Sequence, residues 1–266
     1  TLGVVLIGQF ASHVVPLITG APNSGQSAGM AAVEQYQREQ LDESRDIVER
    51  AARGEDISVE QNERLSNHLD VLEAAAADSD NDEAAAMGAV AEVMRSIQIA
   101  SAEFNSARQP IVEAGGVDPS VIRTRVDLLA TRRRLDRLDA ALVTLTETVA
   151  GAEESVGEKL VEAGIPERGR AIILRNVLSG LQPELQLEIR QTDRVIVDGF
   201  RGMLDVLDAE WGSWEVTPTG DVLFETDEAV AAYVAHAENV DRAALEQQRL
   251  QQELLEVVQR GLRSSP

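Results

Sequence analysis

The sequence predicts an all-α fold: an elongated, antiparallel, coiled-coil-like helical bundle with one small β-hairpin. Three observations lead there. The first is the stretch from Asp118 to Gly164. Read in sevens from Val121 it passes Leu128, Leu135, Leu142, Val149, Val156 and Ala163, all apolar. The companion positions Thr124, Thr131, Leu138, Leu145, Ala152 and Lys159 are apolar in the middle and polar at both ends. An apolar period near 3.5 residues, sustained this long, predicts one helix with a coiled-coil-like seam, roughly 65 Å long. One small neighbour cannot bury a helix of that length, so other helices must lie along it. The second observation is that apolar residues three and four apart recur through most of the remaining chain. The third is composition: 44% of the 266 residues are apolar but only 3% aromatic, so the core is made of Leu, Val, Ile and Ala.

Charge and cysteine content bound the function. A net charge of −22 argues against nucleic acid as a partner, which needs a basic face, and against docking on anionic lipid by charge. It suits a body that resists nonspecific association. Cysteine is absent, which excludes a disulfide framework and a thiolate metal site.

From the N-terminus, Leu2–Ala21 is the most apolar run and carries no charge. Its membrane-facing candidates are Leu2, Val4, Val5, Leu6, Ile7, Phe10, Val14, Val15, Leu17 and Ile18. Gln9, Ser12, His13, Pro16 and Thr19 interrupt it, so as a transmembrane segment it is mediocre. Three readings fit: a membrane anchor or signal-anchor, the apolar part of a signal peptide, or a buried element of the fold. The chain begins at Thr1 rather than Met, which reads as a processed or truncated start. Residues 22–29 (Pro-Asn-Ser-Gly-Gln-Ser-Ala-Gly) read as a linker. The domain organisation is therefore an apolar segment at 1–21, a linker at 22–29, and a bundle domain at 30–266 with the hairpin at 211–225.

Gly25-Gln26-Ser27-Ala28-Gly29 also matches the nucleophile elbow G-x-S-x-G. That chemistry would need Ser27 on a strand-to-helix turn, with His68 or His236 as base. The elbow needs a parallel sheet behind it, and the chain downstream has almost no strand signal, so a small-residue linker is the favoured reading.

A helical pattern covers Met30 to Arg53, through Val33, Leu41, Ile47 and Val48, and Gly54 ends it. Ser58 and Gln61 fit a capping box, and the helix beyond carries Leu65, Leu69, Leu72 and Ala76. His68 sits beside that stripe. Asp78–Glu83 resembles the start of a calcium loop, but Glu83 stands where the pattern needs Gly and Ala89 where it needs Glu. A solvated turn with Asp82 capping the next helix is the better account. Met87, Val90, Met94, Ile97, Ser101 and Phe104 then form a seam. Pro110 and Gly115-Gly116 are predicted to break the chain, and Asp118-Pro119 reads as the cap of the long helix.

Ile111-Val112-Glu113-Ala114-Gly115 recurs as Leu160-Val161-Glu162-Ala163-Gly164. Duplicated hairpins could produce this, but one turn chemistry used twice is favoured. Arg132, Arg133, Arg134 and Arg137 make the densest basic patch, with Asp136 and Asp139 interleaved. It reads as a salt-bridged helix face, with an anion or partner site as the alternative. Arg170–Leu181 is a short helix with Ile172, Ile173, Leu174, Val177, Leu178 and Leu181 apolar, ending at Gln182-Pro183. Glu184–Glu210 is a long one with Leu185, Ile189, Thr192, Ile196, Phe200, Met203 and Leu207 in its seam.

Trp211 to Phe224 departs from helix. Trp214 and Val216 alternate with polar residues, Pro218-Thr219-Gly220-Asp221 is a turn, and Val222-Leu223-Phe224 is apolar, together a hairpin. Thr226 or Asp227 caps a last helix to about Leu262. An isolated hairpin is marginal in water. It therefore either plugs the bundle end, the favoured reading, or offers Trp211, Trp214 and Phe224 to a partner. Trp214-x-Val216, Gly220, Phe224, Thr226 and Tyr233 leading into a terminal helix resembles the C-terminal part of some uncharacterised bacterial helical lipoproteins. The resemblance covers about a sixth of the chain. It implies only a setting, a helical domain outside the cytoplasmic membrane, and supplies no activity to carry over. The lipid-bearing cysteine of such proteins is missing, so anchoring would fall to Leu2–Ala21.

No H-E-x-x-H, phosphate-binding or dinucleotide-binding motif occurs, and no catalytic residue, metal site or cofactor is expected. The expected function is a non-enzymatic structural or interaction subunit, tethered to a membrane on its periplasmic side and part of a larger complex with other protein subunits. The alternatives are an extracytoplasmic sensor or ligand-binding bundle and, remotely, a serine hydrolase through Ser27.

Overall fold

The computed structural model describes Arg50, Arg53, residues 58–77 and residues 82–264. The candidate membrane segment, the linker with Ser27, nearly all of the Met30–Arg53 helix and the Asp78–Asn81 turn lie outside the described residues. Helix α1 is Ser58–Ala77 and α2 is Asp82–Glu113. A 3-10 turn, Pro119–Val121, precedes α3 (Arg125–Ala150), α4 (Ala152–Glu162), α5 (Glu167–Leu181) and α6 (Pro183–Ala209). The strands β1 (Trp214–Val216) and β2 (Val222–Phe224) lead into α7 (Asp227–Ser264). The fold is an all-α helical bundle with one two-stranded antiparallel hairpin, as the sequence predicts.

The seam predicted between Val121 and Ala163 is buried through its middle. Leu128, Leu135, Leu142, Val149 and Val156 are all at most 2% exposed, and Leu138, Leu145 and Ala152 at most 5%. Its ends differ from the prediction of one helix from Asp118. Val121 is 55% exposed. Asp118 caps only the 3-10 turn, its side chain accepting from the Ser120 N–H. Val117, Pro119 and Ile122 turn inward instead, and their burial overrides the helical period. The helix starts at a second cap. Thr124 Oγ1 accepts from the Asp127 N–H (3.2 Å), and Asp127 Oδ2 accepts from the Thr124 N–H and hydroxyl (both 2.8 Å). This is a reciprocal capping box with Asp in place of the usual Glu. The hydroxyl of Thr124 and its N–H hold the Asp127 carboxyl below the ordinary carboxylate range. A one-residue turn at Gly151 separates α3 from α4. Its N–H donates to Glu147 O (2.9 Å) and its O accepts from Ser155 N–H (3.0 Å), so helical bonding continues on both sides.

The repeated pentapeptide is one turn used twice. After α2, Gly116 N–H donates to Ile111 O (2.8 Å) and Gly115 N–H to Val112 O (3.0 Å). After α4, Ile165 N–H donates to Leu160 O (3.0 Å) and Gly164 N–H to Val161 O (2.9 Å). Both are Schellman caps, which need a left-handed residue. Gly115 and Gly164 supply it at φ +71° and +75°. Pro110 does not end α2, contrary to expectation. It is exposed in the last turn, where it removes one backbone donor, and Ile111 behind it is buried. Gln182 is left-handed (φ 48°), closes α5 by donating to Leu178 O, and accepts the Gln186 N–H of α6.

The chain divides into two units. Among the described residues, unit 1 comprises those up to Ala102, Glu147–Leu187, and those from Leu250 onward. There α1 and α2 run antiparallel: Gly88 sits against Ala76, while Arg95 reaches back to Ser66, Asp70 and Glu73. The predicted seam residues Leu65, Leu69, Leu72, Met87, Val90, Met94 and Ile97 are all buried, and Val177 and Leu181 of α5 join them. Ile172, expected inside, is 41% exposed.

Unit 2 comprises Glu103–Thr146 and Glu188–Arg249. Arg132 pairs with Asp205 and Asp208, and Arg201 with Asp136 and Asp139, so α3 and α6 are antiparallel. α6 also approaches α7 closely. A Cβ on Gly199 would lie 2.5 Å from Val240 Cγ2, and one on Gly202 within 2.2 Å of the His236 ring. In α6 the buried residues are Gln186, Ile189, Arg190, Thr192, Val197, Met203, Leu204 and Leu207. Ile189, Thr192, Met203 and Leu207 of the predicted seam are buried, while Leu185, Ile196 and Phe200 are only half-buried.

Leu142→Ala should destabilise the protein by about 2–5 kcal/mol in chemical denaturation, since its side chain is fully buried. Val121→Ala, at the same seam position three heptads earlier, should stay within about 0.5 kcal/mol of wild type because it is exposed.

Candidate functional site

The hairpin gathers the aromatic residues singled out from the sequence. β1 and β2 pair Trp214 with Phe224, Glu215 with Leu223 and Val216 with Val222. The period of two then puts Trp214, Val216, Val222 and Phe224 on one half-buried face. Thr217, Thr219 and Asp221 close the loop through their side chains. The Trp214 indole N–H donates to Leu207 O (2.9 Å), satisfying a carbonyl left open at the end of α6. Trp211 stands edge-on to Trp214 with ring centroids 6.0 Å apart, and the Arg125 guanidinium lies 5.7 Å from the Trp211 centroid.

Phe224 tilts against Tyr233 of α7 at 5.4 Å. Burial, with Asp118 nearby as the lesser cause, pushes the Tyr233 hydroxyl up to about 12. Thr226 caps α7 by accepting the Ala229 N–H (3.2 Å). These contacts place Trp211, Trp214 and Phe224 as a half-buried closure of unit 2. Leu223, on the other strand face, is 49% exposed.

The arginine patch divides. Arg132 is bound to Asp205 (2.7 Å), Asp208 (3.4 Å) and the Leu204 carbonyl, while Arg133, Arg134 and Arg137 are exposed. Asp139 receives both Arg201 and Arg194 of α6. On α3, Arg132, Asp136 and Asp139 therefore form an interhelical charge ladder.

Sequence reasoning missed a second polar cluster. Arg190 is 4% exposed, lies 5.0 Å from the Phe104 centroid, and pairs with Asp193 at 3.2 Å. The Gln247 amide of α7 donates to the other Asp193 oxygen. The signal was present: Arg190, Val197 and Leu204 are seven apart, so an arginine occupies a seam position.

Unit 1 carries an open groove between α4 and α5, with a volume of about 710 Å³. Its floor is Leu160, Val161, Ala171 and Leu174, and its rim holds Glu154, Glu158, Glu162, Glu167 and Arg170. Among the described residues no three His, Asp or Glu side chains are placed to hold a metal ion, and no described helix is long and apolar enough to cross a membrane. Ser27 lies outside the described residues, and His236 packs on Gly202.

Comparison with protein-family models, curated proteins and solved structures finds no match for this chain.

Asp193→Ala should cost about 3–5 kcal/mol by denaturant unfolding, because it strands a buried guanidinium. Arg190→Met combined with Asp193→Leu should be neutral or stabilising. For Tyr233 the folded hydroxyl holds its proton more tightly than the unfolded one. Its contribution is therefore complete below pH 10 and lost as pH rises towards about 12. Tyr233→Phe should remove the high-pH step from the tyrosinate absorbance titration of the folded protein.

Proposed function

We propose that this chain is a non-enzymatic structural and interaction subunit, tethered to a membrane by Leu2–Ala21 and standing on the periplasmic side as part of a larger complex. The observation that carries the reading is the uncharged apolar run, joined by a Gly- and Ser-rich linker to an acidic helical body. In that body most arginines and aromatic rings discussed above hold helices to one another, as a scaffold requires. The weak resemblance of the hairpin and terminal helix to bacterial lipoproteins supports the same setting. The partner would meet the hairpin end, where Leu223 is exposed beside the half-buried Trp211 and Trp214, or the exposed Arg133, Arg134 and Arg137. A second reading, an extracytoplasmic ligand-binding bundle, is favoured by the groove between α4 and α5. That groove is open rather than enclosed, which suits a macromolecule better than a small ligand.

Detergent fractionation of the native protein, followed by identification of co-purifying proteins, tests the proposal. The protein should stay with the membrane until detergent is added, carry at least one other subunit with it, and become protease-sensitive once the outer barrier is opened. Deleting residues 2–21 should release it. Leu223→Asp should weaken co-purification without altering membrane association. A wild-type protein recovered as a free soluble monomer overturns the proposal.

A further inference from the structure

We infer that the groove between α4 and α5 is a docking site for a basic amphipathic helix of a partner protein. The groove is built from two facing helical stripes. Glu154, Gly157, Glu158 and Val161 follow the i, i+3, i+4, i+7 spacing on α4, and Glu167, Arg170, Ala171 and Leu174 follow it on α5. The Schellman turn at Gly164 holds the two helices together, with Leu160 and Ile165 buried beneath it.

Three features point to an occupant. Val161, which lines the groove, is 56% exposed. Gly157 is the second. It sits inside α4 with an ordinary helical backbone, where glycine costs about 1 kcal/mol relative to alanine. No described atom lies within 4 Å of where its Cβ would be. Neither backbone strain nor packing among the described residues calls for glycine there, and the room it leaves opens into the groove.

The third feature is charge. Lys159 engages Glu162 at 3.3 Å, and the Arg170 guanidinium is held by the Ile165 carbonyl at 2.9 Å. Glu154, Glu158 and Glu167 remain exposed and enter no ion pair among the described residues. An apolar floor with a carboxylate rim is complementary to a helix bearing an apolar stripe flanked by Lys and Arg, the helix-in-groove mode of recognition. The inference concerns unit 1 and does not depend on the membrane tether.

The test uses the full chain and a synthetic Leu–Lys amphipathic helical peptide, with binding followed by fluorescence anisotropy. Wild type should bind the peptide and not a scrambled peptide of equal charge. Gly157→Leu, which fills the groove, should weaken binding by about tenfold or more. Gly157→Ala should raise the melting temperature, separating loss of the site from loss of the fold. Glu154→Gln with Glu158→Gln should weaken binding about fivefold or more at low salt. Glu238→Gln with Asp241→Asn, the same charge change on α7, should leave it unaltered. No binding by wild type, unchanged binding by Gly157→Leu, or equal loss in the two charge pairs overturns the inference.

Discussion

The constraint on which the rest of this structure depends is the need to keep one apolar stripe dry. Leu128, Leu135 and Leu142 in unit 2, and Val149, Val156 and Leu160 in unit 1, are almost wholly removed from water. Within each unit neighbouring helices must flank these residues, and their own apolar faces are set by that duty. Apolar burial at roughly 25 cal/mol per Å² outweighs any individual polar contact seen here. The helical bundle is therefore the consequence of a repeat, and the turns are the places where the repeat is interrupted.

Burial of this kind is tolerant of sliding, and polar groups choose the alignment. Arg132, Arg194 and Arg201 meet Asp136, Asp139, Asp205 and Asp208 across α3 and α6 in one order only. Each part-exposed pair contributes modestly, but a shift by one turn would set arginine against arginine. Arg190 acts more strongly because it is buried. Its pairing with Asp193, and Asp193 with Gln247, ties α6 to α7 where a misaligned helix would leave a charge without a partner. Gly199 and Gly202 allow the close approach that this tie requires.

The hairpin obeys the same logic at the end of unit 2. Two three-residue strands cannot persist alone. Trp214 anchors them by donating its indole N–H to the Leu207 carbonyl near the end of α6, and Phe224 by resting on Tyr233 of α7. What is left facing outward, Leu223 above all, contributes little to the fold. The α4–α5 groove is comparable. It too leaves apolar surface uncovered after the internal packing is complete, and it does so beside carboxylates. Both features lie beside Schellman or strand turns, where the chain reverses and neighbouring elements diverge.

Much of this was legible in the residues, and the reasons differ by element. The middle of the seam, the last helix with its cap at Thr226 or Asp227, the hairpin and the twice-used Gly turn all rest on local chemistry: a period, a capping oxygen, an alternation, a left-handed glycine. The start of α3 was misplaced because Asp118-Pro119 and Thr124-x-x-Asp127 are both good caps. Only the inward burial of Val117 and Ile122 decides between them. Pro110 was read as a break because its cost is local, whereas the burial of Ile111 that offsets it is not. The heptad spacing shows Arg190 in a seam and the Arg132–Asp139 stretch shows a salt-bridged face, but their partners on other helices, and the groove, join residues that no local pattern brings together. Helical character, the two left-handed glycine turns and the middle of the apolar seam follow from residues a few positions apart, and so are set by local chemistry. Which helices meet, which charges pair, and which surface is left open were decided only by the tertiary structure, because those depend on distances that a linear order does not contain.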